Sequence, residues 1–129
     1  MGNLSPRLQS RLVRTARTVV GDELRSLTYF DAAQVAELYL REDLDRSADL
    51  VGFAENERLG FHSQGAYRGT QLGTYEFTIR VFEHGYLVRV IEEDCGVWAT
   101  TDSMAIDRFE ELASALAGVL ANADDIAAA

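Results

Sequence analysis

The sequence predicts an α+β domain built around an antiparallel meander of three strands and the helix that follows it. Between Tyr75 and Phe82, apolar or aromatic residues alternate with mostly polar ones, which is the period of a strand with one face in a core. His84-Gly85 then interrupts the run and favours a two-residue hairpin loop, because glycine accepts positive φ freely. After the meander, apolar residues recur at helical spacing and predict the final helix: Ile106, Phe109, Leu112, Leu116, Val119 and Leu120.

A loop at His84-Gly85 fixes the register of the first hairpin. It places Ile79 opposite Val90. It also places Arg80 opposite Arg89, a like-charge pair that is unfavourable unless a carboxylate lies nearby. One face of the ribbon then carries a continuous apolar set: Tyr75, Phe77, Ile79, Val81, Tyr86, Val88 and Val90. We expect the final helix to pack on this face.

The opposite face of the ribbon holds Phe82, Leu87 and Ile91. This face is too apolar to be fully exposed to water. We therefore expect a helix of the same chain, or a second copy of the chain, to cover part of it. The three residues are candidates for an interaction surface.

The end of the meander is expected to turn through five residues, Glu92 to Gly96, before a third strand over residues 97–101. A turn of this length places Trp98 on the core face, where packing accounts for it better than ligand binding does. Asp102 or Ser103 is the predicted N-cap of the final helix, because both side chains accept hydrogen bonds from free backbone N–H groups.

The composition is acidic and free of lysine. All 12 basic residues are arginine, against 21 acidic residues, and the net charge is −9. This balance is typical of a salt-in halophile, because negative charge keeps a protein soluble where molar salt screens repulsion. A GC-rich genome is the alternative, but it explains the preference for arginine and not the acid excess.

Length and residue usage indicate one cytoplasmic domain over residues 1–129. A chain of 129 residues is long enough to bury a core without disulfides or structural metal ions, and its one cysteine forms no disulfide within the chain. We find no apolar run of about 18 residues, no signal core and no lipidation motif. Residues 1–4 and 122–129 are expected to fray.

The N-terminal segment predicts a basic helix. Ser5-Pro6 is a favourable helix start, and the apolar stripe that follows consists of Leu8, Leu12, Ala16 and Val19. Residues 1–21 carry +4, and the remainder of the chain carries −13. Arg7, Arg11 and Arg14 are therefore candidates for binding nucleic acid or an acidic partner. The alternative, which the acidity of the whole domain favours, is a helix docked on its own acidic body or simply solvated.

Residues 22–43 admit two interpretations. Residues 31–42 suit a helix by local propensity, whereas a hairpin would pair a strand over 24–30 with one over 35–41. Residues 44–59 predict a helix with a thin apolar stripe. Residues 63–74 hold three glycines and predict the longest loop, which does not match a phosphate-binding motif because no lysine follows it.

Few residues offer chemistry. The candidates are His62, His84, Cys95 and the acidic turn 92–94. His84 and Cys95 lie at opposite ends of the strand 86–91, about 20 Å apart, which is too far for a shared metal ion. The acids before Cys95 disfavour a thiolate, and a solvated acidic turn explains them better than a cation site. We therefore assign no catalytic, cofactor-binding or metal-binding residue, and we expect no enzyme.

Two segments carry a resemblance to a known family. The stretch Tyr-Leu-Arg-Glu-Asp at 39–43 and the Gly-Val-Trp strand at 96–98 resemble an uncharacterised family of small haloarchaeal domain proteins, over roughly residues 20–120. The element order that this resemblance implies is α-β-β-α-β-β-β-α, with an antiparallel five-stranded sheet flanked by helices. The resemblance therefore selects the hairpin over residues 24–41. The order is similar to the roadblock (dynein light chain) and longin-like folds.

The roadblock-like resemblance implies homodimers that extend one sheet across both subunits and act as scaffolds or regulators for small GTPases. It brings no catalytic residues. We expect a non-catalytic interaction module, a homodimer with a protein partner, and no membrane association. The alternatives are a small-molecule sensor of the PAS or profilin type, with an apolar cavity bounded by Trp98, Tyr75 and Phe109, or a nucleic-acid-associated protein that uses the basic helix.

Overall fold

The computed structural model describes residues 4–44, 53–63 and 69–128. Its elements in chain order are α1 (Pro6–Val20), a 3-10 turn (Gly21–Glu23), β1 (Leu24–Asp31), β2 (Val35–Leu40), α2 (Phe53–Arg58), α3 (Gly60–Ser63), β3 (Thr78–Phe82), β4 (Gly85–Glu92), β5 (Cys95–Thr101), α4 (Ile106–Ala121) and α5 (Ala123–Ala128). The strands form one antiparallel sheet in the order β2-β1-β5-β4-β3. The predicted α+β fold class and its element order are confirmed.

The hairpin interpretation of residues 24–41 is correct. β1 pairs with β2 on one side and with β5 on the other, so it lies inside the sheet and is almost entirely buried. The helical propensity of residues 31–42 is overridden because β2 finds a strand partner in β1. The turn is held by Asp31, whose carboxylate accepts hydrogen bonds from the backbone N–H groups of Ala33 and Gln34, both at 2.8 Å.

The predicted register of the β3–β4 hairpin is wrong. The turn is formed by Glu83 and His84, one residue earlier than predicted, and β3 begins at Thr78 and not at Tyr75. Ile79 therefore pairs with Val88, a shift of two residues in the pairing. Because side chains alternate with a period of two, this shift leaves the residues of β3 and β4 on their predicted faces. Tyr75 is the exception among the predicted residues: it precedes β3 and packs on the face opposite to the predicted one.

The predicted turn between β4 and β5 is also wrong, and here the error changes a face. Glu93 and Asp94 make a two-residue turn, with Glu93 at φ +56°, so β5 begins at Cys95. Trp98 consequently pairs with Arg89 and lies on the face opposite to the predicted one. Gly96, the second residue of this strand, allows Phe30 to pack directly against the backbone. A Cβ there would lie 2.7 Å from the ring of Phe30.

The first face of the sheet carries the larger core. α1 and α4 pack on it, and their apolar residues join those of the strands, among them Leu12, Leu27, Val88, Phe109 and Leu116. The predicted stripe of α1 is confirmed with one change, since Val20 is more deeply buried than Val19. None of the helices in the described residues has the length and apolar character that crossing a bilayer requires.

Both ends of the C-terminal region differ from expectation. Ala105, and not Asp102 or Ser103, precedes α4, and the Asp102 carboxylate instead forms an ion pair of 2.6 Å with Arg41. Residues 123–128 form α5 where fraying was expected. Ile126 of α5 packs against the α1 side of the core. The tail therefore makes apolar contacts that could not be predicted from its composition.

A second, smaller cluster covers the other face of the sheet. Phe30, Leu87, Ile91 and Trp98 are buried there beneath Phe53 and Ala54 of α2 and Phe61 of α3. The predicted helix over residues 44–59 is only partly confirmed: Leu44 lies in a bend, α2 begins at Phe53, and residues 45–52 lie outside the described part. The same limit applies to residues 64–68 of the predicted loop. Residues 69–74 do form turns and bends.

Candidate interaction surfaces

The outer edge of β3 is the most accessible piece of the sheet. β3 is the last strand in the sheet order, and its outward backbone groups have no strand partner among the described residues. Val81 is 70% exposed and Phe82 is 54% exposed. Large apolar side chains on an unpaired strand edge are a feature that isolated chains usually avoid.

The exposed edge continues onto α2. A cavity of about 590 Å³ lies between β3 and this helix, and Leu59, just beyond α2, is 65% exposed. The residues that line the cavity are Phe53, Asn56, Glu57, Leu59, Gly60, Arg80, Phe82, Leu87 and Arg89. We call the edge of β3 together with this cavity the β3 surface.

A cluster of ion pairs around the buried side chains of Glu57 and Arg89 lies next to the β3 surface. The Glu57 carboxylate, almost fully buried, accepts hydrogen bonds from Arg80 Nε at 2.9 Å and from Arg89 Nη1 at 3.1 Å. Arg89 Nη2 donates to Thr78 Oγ1 at 2.9 Å and to Tyr75 Oη at 3.2 Å. The two arginines are diagonal neighbours and do not face each other, and Glu57 is the nearby carboxylate that their proximity requires.

The predicted interaction residues of the sheet are divided by the structure. Phe82 is exposed on the β3 surface, as an interaction residue must be. Leu87 and Ile91 are not, since they are 1% and 5% exposed beneath α2 and α3. The sequence left open whether a helix of the same chain or a second copy covers this face. Helices of the same chain, α2 and α3, cover Leu87 and Ile91, which are therefore core residues.

A second cavity, of about 320 Å³, adjoins the β3–β4 turn. Arg25, Phe53, Phe82, His84 and Thr100 are among the residues that line it. It shares Phe53 and Phe82 with the β3 surface and extends that surface toward the turn.

The cavity expected for a small-molecule sensor is not formed by the described residues. Trp98 and Tyr75 belong to the second face of the sheet, whereas Phe109 belongs to the first. The sheet itself therefore separates Phe109 from the other two side chains.

The structure separates the groups that were considered for chemistry. His84 lies in the turn at the start of β4, and Cys95 follows the turn at its end. Burial, with the charges of Asp94 and Asp31, raises the pKa of the Cys95 thiol to about 11, so it is protonated near neutral pH. In the described residues no three histidine, cysteine or acidic side chains come together to hold a metal ion. The side chain of His62 lies outside the described part.

The predicted basic residues lie on the outer side of α1. Arg7, Arg11 and Arg14 are exposed, opposite the buried stripe of the helix. We call these three residues the arginine stripe. Arg17 is different, because its guanidinium pairs with Asp22 at 3.5 Å and donates to Tyr39 Oη at 3.1 Å.

The order of elements and the five-stranded antiparallel sheet define a roadblock-like, longin-like α+β fold. The chain belongs to the family described as Domain of unknown function (DUF7522), whose model matches residues 10–121. No curated protein matches the chain.

Solved structures of MglB share this fold. One, described as MglB with a tetrameric arrangement, superposes with a TM-score of 0.66 at 15% identity and covers 93% of this chain and 95% of its own. Myxococcus xanthus MglB gives 0.60 at 8% identity, with 95% and 96% covered. The gliding protein MglB of Thermus thermophilus gives 0.55 at 14% identity, with 90% and 93% covered. These identities establish similarity of fold.

Proposed function

We propose that the protein is a non-catalytic interaction module that works as a homodimer, in which the β3 edges of two copies pair and extend one sheet across both subunits. The observation that carries this proposal is the unpaired edge with exposed Val81 and Phe82. Pairing of two such edges would satisfy outward backbone N–H and C=O groups and remove apolar surface from water in one step.

The shape of the β3 surface suits a two-fold symmetric contact. β3 pairs with β4 without a register shift, so its outer edge is regular over Thr78–Phe82. An antiparallel pair of identical strands is related by a two-fold axis, which gives the self-complementary contact of a closed dimer. Leu59 and the adjoining cavity lie beside the edge and would add apolar contact area to the strand pairing.

The dimer is proposed to act as a scaffold or regulator for a protein partner, such as a small GTPase. The support is the roadblock-like fold, and one MglB structure of that fold is itself described as a tetrameric arrangement. We further propose that it does so in the saline cytoplasm of a halophilic archaeon, which the net charge of −9 and the absence of lysine support. No residue is assigned to catalysis.

Light scattering in about 2 M salt tests the dimer, because exposed charge repulsion is screened there. We expect the wild-type chain to have twice the mass of one chain and Phe82→Glu to have the mass of a monomer. The matched control is Leu72→Glu, which introduces the same charge at a leucine that is 84% exposed outside the β3 surface. It should remain dimeric. A monomeric wild type, or dissociation by the control alone, contradicts the proposal.

A further inference from the structure

The arginine stripe forms a straight cationic row on the helix that lies on the other side of the sheet from the β3 surface. Arg7, Arg11 and Arg14 are spaced by four and three residues, so they lie on one face of α1 along about 10 Å of its axis. The buried stripe of the same helix faces the opposite direction: Leu8, Leu12, Ala16 and Val20. The three guanidinium groups therefore point away from the core.

The charge of this row is not neutralised by the described part of its own chain. No ion pair to any of its three arginines is found within the residues that the structure describes. Arg17, one turn further along α1, is different: its guanidinium pairs with the Asp22 carboxylate and lies over the Tyr39 ring. A helix docked on its own acidic body, one of the interpretations of the sequence, would give the stripe such partners. With respect to the described residues, the stripe is available to bind a group from outside.

A groove lies alongside the stripe. It has a volume of about 340 Å³, runs between α1 and α5, and is lined by Arg7, Ser10, Arg11, Arg14, Asp125 and Ile126. One wall is thus cationic, the other contributes a carboxylate, and Ile126 adds an apolar contact. A ligand complementary to the groove offers several anionic groups to the stripe and an apolar group to Ile126.

We propose that the arginine stripe and its groove bind an acidic amphipathic helix of a partner protein. Glutamates on such a helix at the same spacing of four and three residues lie in one row, and each can meet one guanidinium. Arginine forms two parallel hydrogen bonds with a carboxylate, so the contact has directed bonds as well as charge attraction. An apolar residue beside that row would rest on Ile126.

Two features favour an acidic protein helix over nucleic acid. The stripe extends about 10 Å, whereas duplex DNA carries a charge every ~1.7 Å along its axis and would continue past the stripe. Beyond the stripe it would meet a remainder that carries −13. Asp125 on the groove wall repels any anionic group, so it favours a partner that confines its negative charge to the stripe and can place a neutral hydrogen-bond donor beside Asp125, as a peptide helix can. A short acidic helix confines its charge to the stripe.

Fluorescence anisotropy with a defined probe tests this proposal. The probe is a labelled helical peptide of roughly 20 residues with a row of glutamates and one leucine per heptad. A second peptide carries glutamine in place of each glutamate, and a labelled DNA duplex of about 20 base pairs represents nucleic acid. Titrations are run in about 0.1 M and about 2 M salt, because screening separates charge attraction from directed contact.

Two variants of the full chain are compared. The first is Arg7→Gln, Arg11→Gln, Arg14→Gln, which removes the stripe. The matched control is Gln71→Glu, Ser103→Glu, Ser114→Glu, which lowers the net charge by the same three units at exposed positions outside the groove. We expect the glutamine variant to bind the glutamate peptide about tenfold more weakly than wild type, since three surface ion pairs each contribute about a factor of two. The control should bind within about twofold of wild type.

Three results would overturn the proposal. Equal affinity of wild type and the glutamine variant would show that the stripe is not the binding site. Tighter binding of the DNA duplex than of the glutamate peptide would assign the stripe to nucleic acid. A change in the mass of the glutamine variant in light scattering would make the stripe a contact between copies of this chain. A constant mass also keeps this test separate from that of the β3 dimer.

Discussion

The two edges of the sheet are built in opposite ways. At the β2 edge, the pairing with β1 shifts between Leu27 and Thr28, so the strand is bulged, and every residue of β2 is half-buried. Arg17 lies over the Tyr39 ring, 5.1 Å from its centroid, and covers the edge from α1. At the β3 edge the pairing is regular, and Arg80, Val81 and Phe82 are exposed.

This difference shows which edge is protected against strand addition. Bulges and covering side chains are the usual means by which proteins prevent an edge strand from pairing with another chain. The β2 edge has both, and the β3 edge has neither among the described residues. Each edge also has a set of ion pairs. At β3 they converge on the buried carboxylate of Glu57, and at β2 they converge on the more exposed guanidinium of Arg41.

Loss of the buried carboxylate is expected to have the largest effect. Glu57→Ala leaves Arg89 buried without its carboxylate and should lower the free energy of unfolding by about 3 kcal/mol. The comparison at the other edge is Asp102→Ala, which breaks the 2.6 Å ion pair with Arg41. Because Asp102 is 43% exposed, its loss should cost only about 0.5–1 kcal/mol.

Urea unfolding of both variants at one salt concentration measures this difference. Equal decreases in the free energy of unfolding for Glu57→Ala and Asp102→Ala would mean that burial does not make the ion pairs around Glu57 stronger than those around Arg41. The two edges would then differ only in strand geometry, bulged at β2 and regular at β3.

A lysine introduced on each edge compares the edges directly. Val81→Lys adds a charge to the exposed β3 edge and should weaken dimerisation by at least about tenfold, because edge lysines oppose pairing with another strand. Ala36→Lys adds the same side chain to β2 and should leave the dissociation constant within about twofold. Sedimentation at several protein concentrations gives both constants. Dissociation by Ala36→Lys with a persistent Val81→Lys dimer would exchange the roles of the edges.

The smallest predicted difference is between substitutions in the two hairpin turns, Asp31→Ala in the β1–β2 turn and His84→Ala in the β3–β4 turn. Burial alone would raise the pKa of Asp31, but hydrogen bonds from the Ala33 and Gln34 N–H groups and from the Tyr29 hydroxyl outweigh it, and the pKa is lowered from 3.8. Asp31→Ala should therefore destabilise the protein by about 1–2 kcal/mol. His84→Ala, in the exposed β3–β4 turn, should change stability by less than about 0.5 kcal/mol.

The pH dependence gives this prediction a sign. A carboxyl group with a lowered pKa in the folded state contributes its full stability above the unfolded pKa, and that contribution is lost as the pH falls through the folded pKa. The stability difference between wild type and Asp31→Ala should thus be constant above about pH 5 and shrink below about pH 4. A difference that grows as the pH falls would show that the carboxylate is not the stabilising form.

Most of the fold could be predicted because its patterns are local. The start of α1 at Ser5-Pro6 and the alternation within β3 and β4 are confirmed. So is the predicted stripe of α4 from Phe109 to Leu120, whereas the side chain of Ile106 lies outside the described part. The hairpin of β1 and β2 required the family resemblance, since local propensity favoured a helix over residues 31–42. Sequence periodicity detects a face of one element and does not detect which elements pair.

The surfaces were predicted less well. Phe82 and the arginine stripe are exposed as expected, but Leu87 and Ile91 are covered by α2 and α3. Glu57 was missed altogether. The signal that pointed toward it was the expected proximity of Arg80 and Arg89, which required a carboxylate without saying where in the chain it stood.

The sequence by itself determined that α1 and α4 are helices and that β3 and β4 are strands with two distinct faces, because a period of two or 3.6 is written in neighbouring residues. Only the tertiary structure decided the face of Trp98, the cover over Leu87 and the carboxylate beside Arg89. The turn before β5 is three residues shorter than predicted, which moves each side chain of β5 to the opposite face of the sheet. The contacts around Leu87 and Arg89 join residues that are far apart in the chain. Their energies depend on positions in space that no local pattern encodes.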